Sequence, residues 1–202
     1  MIIAVDIQQS SSPSHLAAYI TTLAAQQPGH RFILFSVTND LLKPLPANCE
    51  WVAIKPRISN SVLLHFWYNY RLPSLLKKYD ASVFVSENNV GSLRSTVPHL
   101  MLMKDAAILQ PHRLKFANKR YLKKYFSGFV ARAAGVLAST PANAHLFAKH
   151  CPTEQQKLKT IFYGLAPQYK KLDYEIVESI REQHTRGHAY FVAECNRSNQ
   201  PQ

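Results

Sequence analysis

Short runs of consecutive apolar residues alternate along this chain with stretches in which apolar residues return every three or four positions. The runs are "MIIAVD", "RFILFSV", "CEWVAIK", "ASVFVS", "PHLMLM", "GVLAS" and "KLKTIFYG". Being continuous rather than alternating, they predict strands buried on both faces, as in a parallel sheet covered by helices. Between them, "PSHLAAYITTLAAQ" places Leu16, Ala17, Ile20, Leu23 and Ala24 along one side of a helix, with Pro13 in its first turn. "SVLLHFWYNYRLPSLLKKYD" predicts a helix that Pro73 must break or kink near Arg71 and Leu72. "RLKFANKRYLKKYFSGFVARAA" predicts a long helix, and "TPANAHLFAKH" one capped by Thr140 ahead of Pro141. Strand and helix alternate, so the predicted fold is α/β: a doubly wound, mostly parallel Rossmann-like sheet with helices on both faces.

After Gly164 the rhythm changes. "LAPQYKKLDYEIVESIREQHTRGH" predicts a loop and a polar helix with Ile176, Val177 and Ile180 on one side, and "AYFVAEC" opens a further strand. One strand cannot make a sheet by itself. The expected division is therefore a first domain over residues 1–172, followed by a linker helix and the first strand of a second, truncated domain over 173–202.

The charge narrows the choice of partner. The 202 residues carry 24 Lys and Arg against 12 Asp and Glu, a formal net charge of +12. This favours an anionic partner over simple solubility: an acidic membrane surface or a phosphorylated substrate. Nucleic acid is not expected, because beyond charge no reading element is recognisable. Cys49, Cys151 and Cys195 are scattered and form no CxxC pair, which fits a reducing cytosol. "MIIAVDIQQ" has no basic n-region, and no stretch reaches the ~20 apolar residues of a membrane span. The predicted location is cytoplasmic, with contact to the inner face of the membrane through the basic helix described below.

The stretch "VPHLMLMKDAAILQP" ends a buried strand on Lys104 and Asp105. Open α/β sheets bind ligands beyond the carboxyl ends of their strands. The pair is thus either a cleft-facing site or a solvated strand terminus. Ser86, Glu87, Asn88 and Asn89 follow another strand and would border the same crevice, as would Ser10, Ser11, Ser12 and His15 after the first. These types can hydrogen-bond sugar hydroxyls or phosphate, although Ser/Asn-rich turns are also simply turns. Arg113, Lys115, Lys119, Arg120, Lys123 and Lys124 occur with no acid among them, interleaved with Leu114, Ala117, Tyr121, Tyr125 and Phe129 at helical spacing. Such a helix predicts contact with an anion or a membrane surface, with the aromatics facing the core. His145 and His150-Cys151 are five or more apart on one helix, too far round for one ion, so no metal is expected.

The order and spacing of "HRFILFS", "NYRLPSLLKKYDASVFVSENN", "VPHLMLMKDAAILQP", "ARAAGVLASTPANAHLFAKH" and "KLKTIFYGLAPQY" resemble the amino-terminal half of GT-B glycosyltransferases of family 4, retaining mannosyl- and glucosyltransferases among them. The resemblance covers most of residues 1–171. It implies two Rossmann-like domains facing across a cleft, the first holding the acceptor and the second the nucleotide-sugar donor through a glutamate-rich motif that is missing here. The expected partners are a nucleotide sugar and a glycan or lipid-linked acceptor, joined by the missing donor domain, and no other cofactor. Alone, the chain is expected to be inactive. Two departures matter. The loop after the first strand, "DIQQSSSPSHLAAY", lacks the family's glycines. Lys104-Asp105 stands where the family usually has His-Asp, so the resemblance places Lys104 at the cleft as a point charge for phosphate; a charged lysine cannot accept a proton. The rival reading is a non-catalytic module of the same fold that binds glycan or anionic membrane.

Overall fold

The computed structural model describes residues 1–7, 15–37, 45–54, 58, 60–87, 89–103, 109, 119–161 and 171–191. Contacts divide the chain into two compact units, Met1–Tyr163 and Gly164–Gln202.

In the first unit the elements follow the sequence closely. They are β1 (Ile2–Asp6), α1 (His15–Gln26), β2 (Arg31–Ser36), β3 (Cys49–Ala53), α2 (Ser61–Phe66), a π-helical turn (Trp67–Arg71), α3 (Leu72–Lys78), β4 (Val83–Ser86), β5 (His99–Met103), α4 (Lys119–Arg132), β6 (Gly135–Ala138), α5 (Pro141–His150), a 3₁₀ segment (Pro152–Lys157) and β7 (Leu158–Thr160). Among the described residues seven strands form one sheet in the order β3-β2-β1-β4-β5-β6-β7, and every neighbouring pair is parallel. The order reverses between β1 and β4. That switch point, outside the carboxyl ends of the two strands, is where such sheets open a crevice.

Each strand alternates between two apolar layers, which is why its sequence is apolar throughout. Ala4, Ile33, Phe35, Phe84, Met101, Met103 and Val136 share one layer with Leu64, Trp67, Tyr68, Leu72 and Leu76 of the α2–α3 segment, Tyr121, Phe126, Phe129 and Val130 of α4, and Phe147 of α5. Val5, Phe32, Leu34, Val85 and Leu102 form the other layer with Leu16, Ala17, Ile20 and Ala24 of α1. The α1 face is the one its apolar spacing predicts, with Leu23 packed at its edge.

The helix carrying Pro73 is interrupted where expected, and the interruption is a π turn. Its ring would press on the carbonyl four residues back and leaves that carbonyl without an N–H. The helix widens by one residue just before it: the Leu72 N–H reaches the Trp67 carbonyl, five residues back, and Pro73 falls in the first turn of α3. The disturbance at Pro73 thus takes the form of local π geometry. The long basic helix, expected from Arg113 to Ala134, is described from Lys119 to Arg132; its beginning lies outside the described residues. Thr140 caps α5 as predicted, its hydroxyl accepting from the Asn143 N–H at 3.1 Å.

The second unit contains α6 (Tyr174–Thr185), which carries a Glu178–Arg181 ion pair and ends on Arg186 in the left-handed region (φ 53°). Ala189, Tyr190 and Phe191 belong to no strand; the rest of the strand expected at "AYFVAEC" lies outside the described residues.

Candidate functional site

At the switch point, β1 ends on Asp6, whose register partners are Phe35 in β2 and Ser86 in β4. Asp6 is fully buried and faces the α2–α4 layer, where the Tyr68 hydroxyl donates a hydrogen bond to its Oδ2. Burial first, and then the neighbouring Asp6 carboxylate, hold the Tyr68 phenol well above its usual range. Tyr68 therefore keeps its proton and remains a donor.

Ser86 closes β4 and is also fully buried. Its Oγ is 2.7 Å from both the Val90 carbonyl and His99 Nε2. One hydroxyl carries one proton. Donating it to Val90 and accepting from the Nε2–H of a neutral imidazole satisfies both contacts. Burial lowers the His99 pKa to about 4, so the ring is neutral at physiological pH. These contacts tie the end of β4 to Val90 and to β5, beside Glu87, which is buried, and Asn89, which is in the left-handed region (φ 56°). Further along the rim, Ser139 follows β6. Its Oγ donates to the Met103 carbonyl at 3.3 Å, and Asn143 Nδ2 donates to that Oγ at 3.2 Å, which ties the end of β5 to the start of α5.

Of the residues singled out from the sequence, Lys104, Asp105, Ser10, Ser11, Ser12, Asn88, Arg113 and Lys115 lie outside the described residues, as do the side chains of His15 and Lys119. Ser86 is brought to the rim, but with its hydroxyl turned inward to His99. Arg120, Lys123 and Lys124 are exposed on α4, while Tyr121, Phe126 and Phe129 of the same helix are buried. His150 Nδ1 lies 2.9 Å from the Leu146 carbonyl. Among the described residues no three His, Cys, Asp or Glu side chains cluster as metal ligands would. No described helix is long and apolar enough to cross a membrane.

A hollow that sequence reasoning missed lies between α2 and α4. In a parallel α/β layout the helices run against the strands, so the first turns of both helices lie on the carboxyl-end side of the sheet. There Ser61, Val62, His65, Phe66, Tyr70, Tyr121 and Tyr125 line a hollow of about 410 Å³. His65 packs against Tyr125 (centroids 5.2 Å apart) and meets Tyr121 edge-on. Its Nδ1 lies 3.2 Å from Asn69 Nδ2 and 3.4 Å from the Tyr121 hydroxyl. Burial raises the Tyr121 pKa to about 12, so that hydroxyl stays protonated. With donors facing it, Nδ1 is the accepting nitrogen of the ring. The available signal was "HFWYNY", whose ring positions four residues apart share a helix face.

No protein-family model matches this chain, and no curated protein matches it by sequence. Its fold does have solved counterparts. A glycosyltransferase from Rickettsia africae ESF-5 superposes with a TM-score of 0.58 at 14% identity, over 91% of this chain and 49% of that one. HepE from Anabaena, solved with UDP and glucose, gives 0.60 at 16% identity, over 91% and 50%. The wall teichoic acid polymerase TagF gives 0.51 at 13% identity, over 92% and 44%. The chain spans about half the length of the structures it matches. What this chain shares with them is the fold, a parallel Rossmann-like α/β sheet.

Proposed function

We propose that this chain is the acceptor-side half of a glycosyltransferase, of the retaining family-4 type that the sequence resembles. It would transfer a hexose from a nucleotide sugar to a lipid-linked or polysaccharide acceptor, and act only when paired with a donor-binding half. The observation that carries the reading is the parallel β3-β2-β1-β4-β5-β6-β7 sheet with its switch point between β1 and β4, superposing along nine-tenths of its length on glycosyltransferase structures about twice as long. The rim positions then take roles. Lys104 and Asp105 follow β5 and would contact phosphate and sugar oxygens. Ser11, Ser12 and His15 follow β1, and Asn88 and Asn89 follow β4, where each can hydrogen-bond acceptor hydroxyls. Exposed Arg120, Lys123 and Lys124 on α4 favour residence at an anionic membrane surface, which suits a lipid-linked acceptor.

The test pairs this chain with a separately encoded Rossmann-like unit bearing a glutamate-rich motif. Transfer of radiolabelled hexose from UDP- or GDP-sugars to a membrane or polysaccharide fraction is measured for each half and for both. Transfer requiring both halves supports the reading; none with both overturns it. By calorimetry, this chain alone is expected to bind UDP- and GDP-sugars weakly or not at all.

A further inference from the structure

We infer that a second pocket, at the amino ends of β4 and β5, binds an acidic sugar, a hexuronate unit whose carboxylate meets Lys77 and Arg94 and whose hydroxyls meet Asp80. The site is independent of the glycosyltransferase reading. It lies at the other end of β4 from the switch-point rim, four residues away at ~3.3 Å each.

Ala81 in its wall leads into β4 and Val97 into β5. The polar members of the lining are Ser74, Lys77, Asp80, Arg94, Ser95 and Thr96, around a volume of about 660 Å³, within the ~300–1,000 Å³ of small-molecule sites. Three of them carry charge, of both signs, yet among the described residues none of the three forms an ion pair. Arg94 is held in place. Its guanidinium lies 4.4 Å from the Tyr70 ring centroid. Its backbone is stitched by Ser92, whose Oγ accepts from the N–H groups of Arg94 at 3.1 Å and Ser95 at 2.9 Å. A guanidinium stacked on a ring keeps its N–H edge for a planar carboxylate.

Asp80 is a residue that folding alone would not choose. The helical run ends at Lys78 in a Schellman turn: the Ala81 N–H donates to the Leu76 carbonyl at 2.9 Å and the Asp80 N–H to the Lys77 carbonyl at 3.2 Å. Asp80 takes the left-handed position of that turn (φ 51°), where glycine or asparagine is usual. Its carboxylate also stands at the negative end of the helix, which favours cations such as Lys77 and Lys78 and disfavours an acid. Local rules broken without an evident compensating contact mark functional positions. One carboxylate, two cations and the hydroxyls of Ser95 and Thr96 in one pocket complement a ligand with one anionic group and several hydroxyls. A simple organic anion would leave Asp80 without a donor, and a neutral sugar would leave both cations without an anion.

Titrations of the whole chain with glucuronate, glucose and acetate at one ionic strength, followed by backbone amide NMR shifts, test the assignment. Wild type is expected to bind glucuronate at least tenfold more tightly than either of the others, with the shifts centred on Ala81, Ser95 and Thr96. The Lys77→Ala/Arg94→Ala double variant, at two exposed positions, should weaken glucuronate binding at least tenfold and keep a urea midpoint near that of wild type. Asp80→Gly should weaken it as much while its urea midpoint stays at or above that of wild type, because glycine suits the left-handed turn. A lower midpoint for Asp80→Gly would show that Asp80 serves the fold, and would overturn the site. So would equal binding by the folded variants, acetate or glucose binding as tightly as glucuronate, shifts centred instead on the carboxyl ends of β1 and β4, or no binding at all.

Discussion

A Cβ built on Gly91 would lie 2.4 Å from His99 Cε1 and 2.7 Å from His99 Nδ1, so any side chain there must displace the imidazole that bonds Ser86. Gly91→Ala is expected to cost about 1–3 kcal/mol, the range for forcing atoms into a filled core, read as a lower urea midpoint. The same histidine makes stability depend on pH. The unfolded ring takes up a proton near pH 6.5 and the folded ring only near 4. Across that interval the unfolded chain binds more protons, so acid favours unfolding. The neutral His99 contributes about 3 kcal/mol that is present above pH 6.5 and lost on descending to pH 4, about 2 kcal/mol of it by pH 5. Urea titrations at pH 7 and pH 5 should show a larger drop for wild type than for His99→Gln; equal drops would remove His99 as the cause. At alkaline pH the sign comes from Tyr68. Its raised pKa means that the folded state holds its proton while the unfolded phenol releases one near pH 10, so stability falls as pH rises through that value.

Asn69, in the π-helical turn, shows what an element does that a residue count does not. Its Oδ1 accepts from the Leu93 N–H at 2.8 Å, and its Nδ2 donates to the His65 carbonyl at 3.0 Å. One buried side chain thus joins the widened turn to the loop that follows β4. Asn69→Ala should destabilise by about 1–3 kcal/mol, the cost of leaving a buried partner unsatisfied. It should also speed hydrogen exchange at Leu93 specifically; unchanged exchange there would show that the loop is held by other contacts. The strands and the long helices were readable because apolar runs and helical spacing report burial directly. The widened turn was not. Pro73 announces a disturbance, but its form, one residue added in a π turn, depends on what the helix packs against, here Trp67, Tyr68 and Leu72 in the core. The parallel strands were likewise legible, and with them the general rule that ligands meet such sheets beyond the strands' carboxyl ends. That Ser86 turns inward was not, because its partner His99 is thirteen positions away on another strand. The hollow was hidden for the same reason: nothing in "HFWYNY" shows that Tyr121 and Tyr125, far along the chain, are set opposite it.

At the scale of the whole molecule, the net charge of +12 and the half-length match meet on α4. The buried side of that helix belongs to the sheet's core, so its exposed Arg120, Lys123 and Lys124 are held in place by folding rather than by a mobile tail. Preordered cations lose little entropy when an anionic surface binds them, and each is worth ~1 kcal/mol near such a surface. Reversing Lys119, Arg120, Lys123 and Lys124 to Glu should therefore weaken binding to vesicles rich in anionic lipid by 100-fold or more, about 1.4 kcal/mol being tenfold. The readout is flotation with and without anionic lipid, at low salt and near 1 M salt, where the screening length falls to about 3 Å. Wild type should float only with anionic lipid and only at low salt. The reversal touches no described core residue, so its melting temperature should stay within a few degrees of wild type. A folded quadruple variant that floats as well as wild type would show the charge on α4 to be solvating only, and the lipid-linked acceptor would then have to be reached from solution through the crevice between β1 and β4.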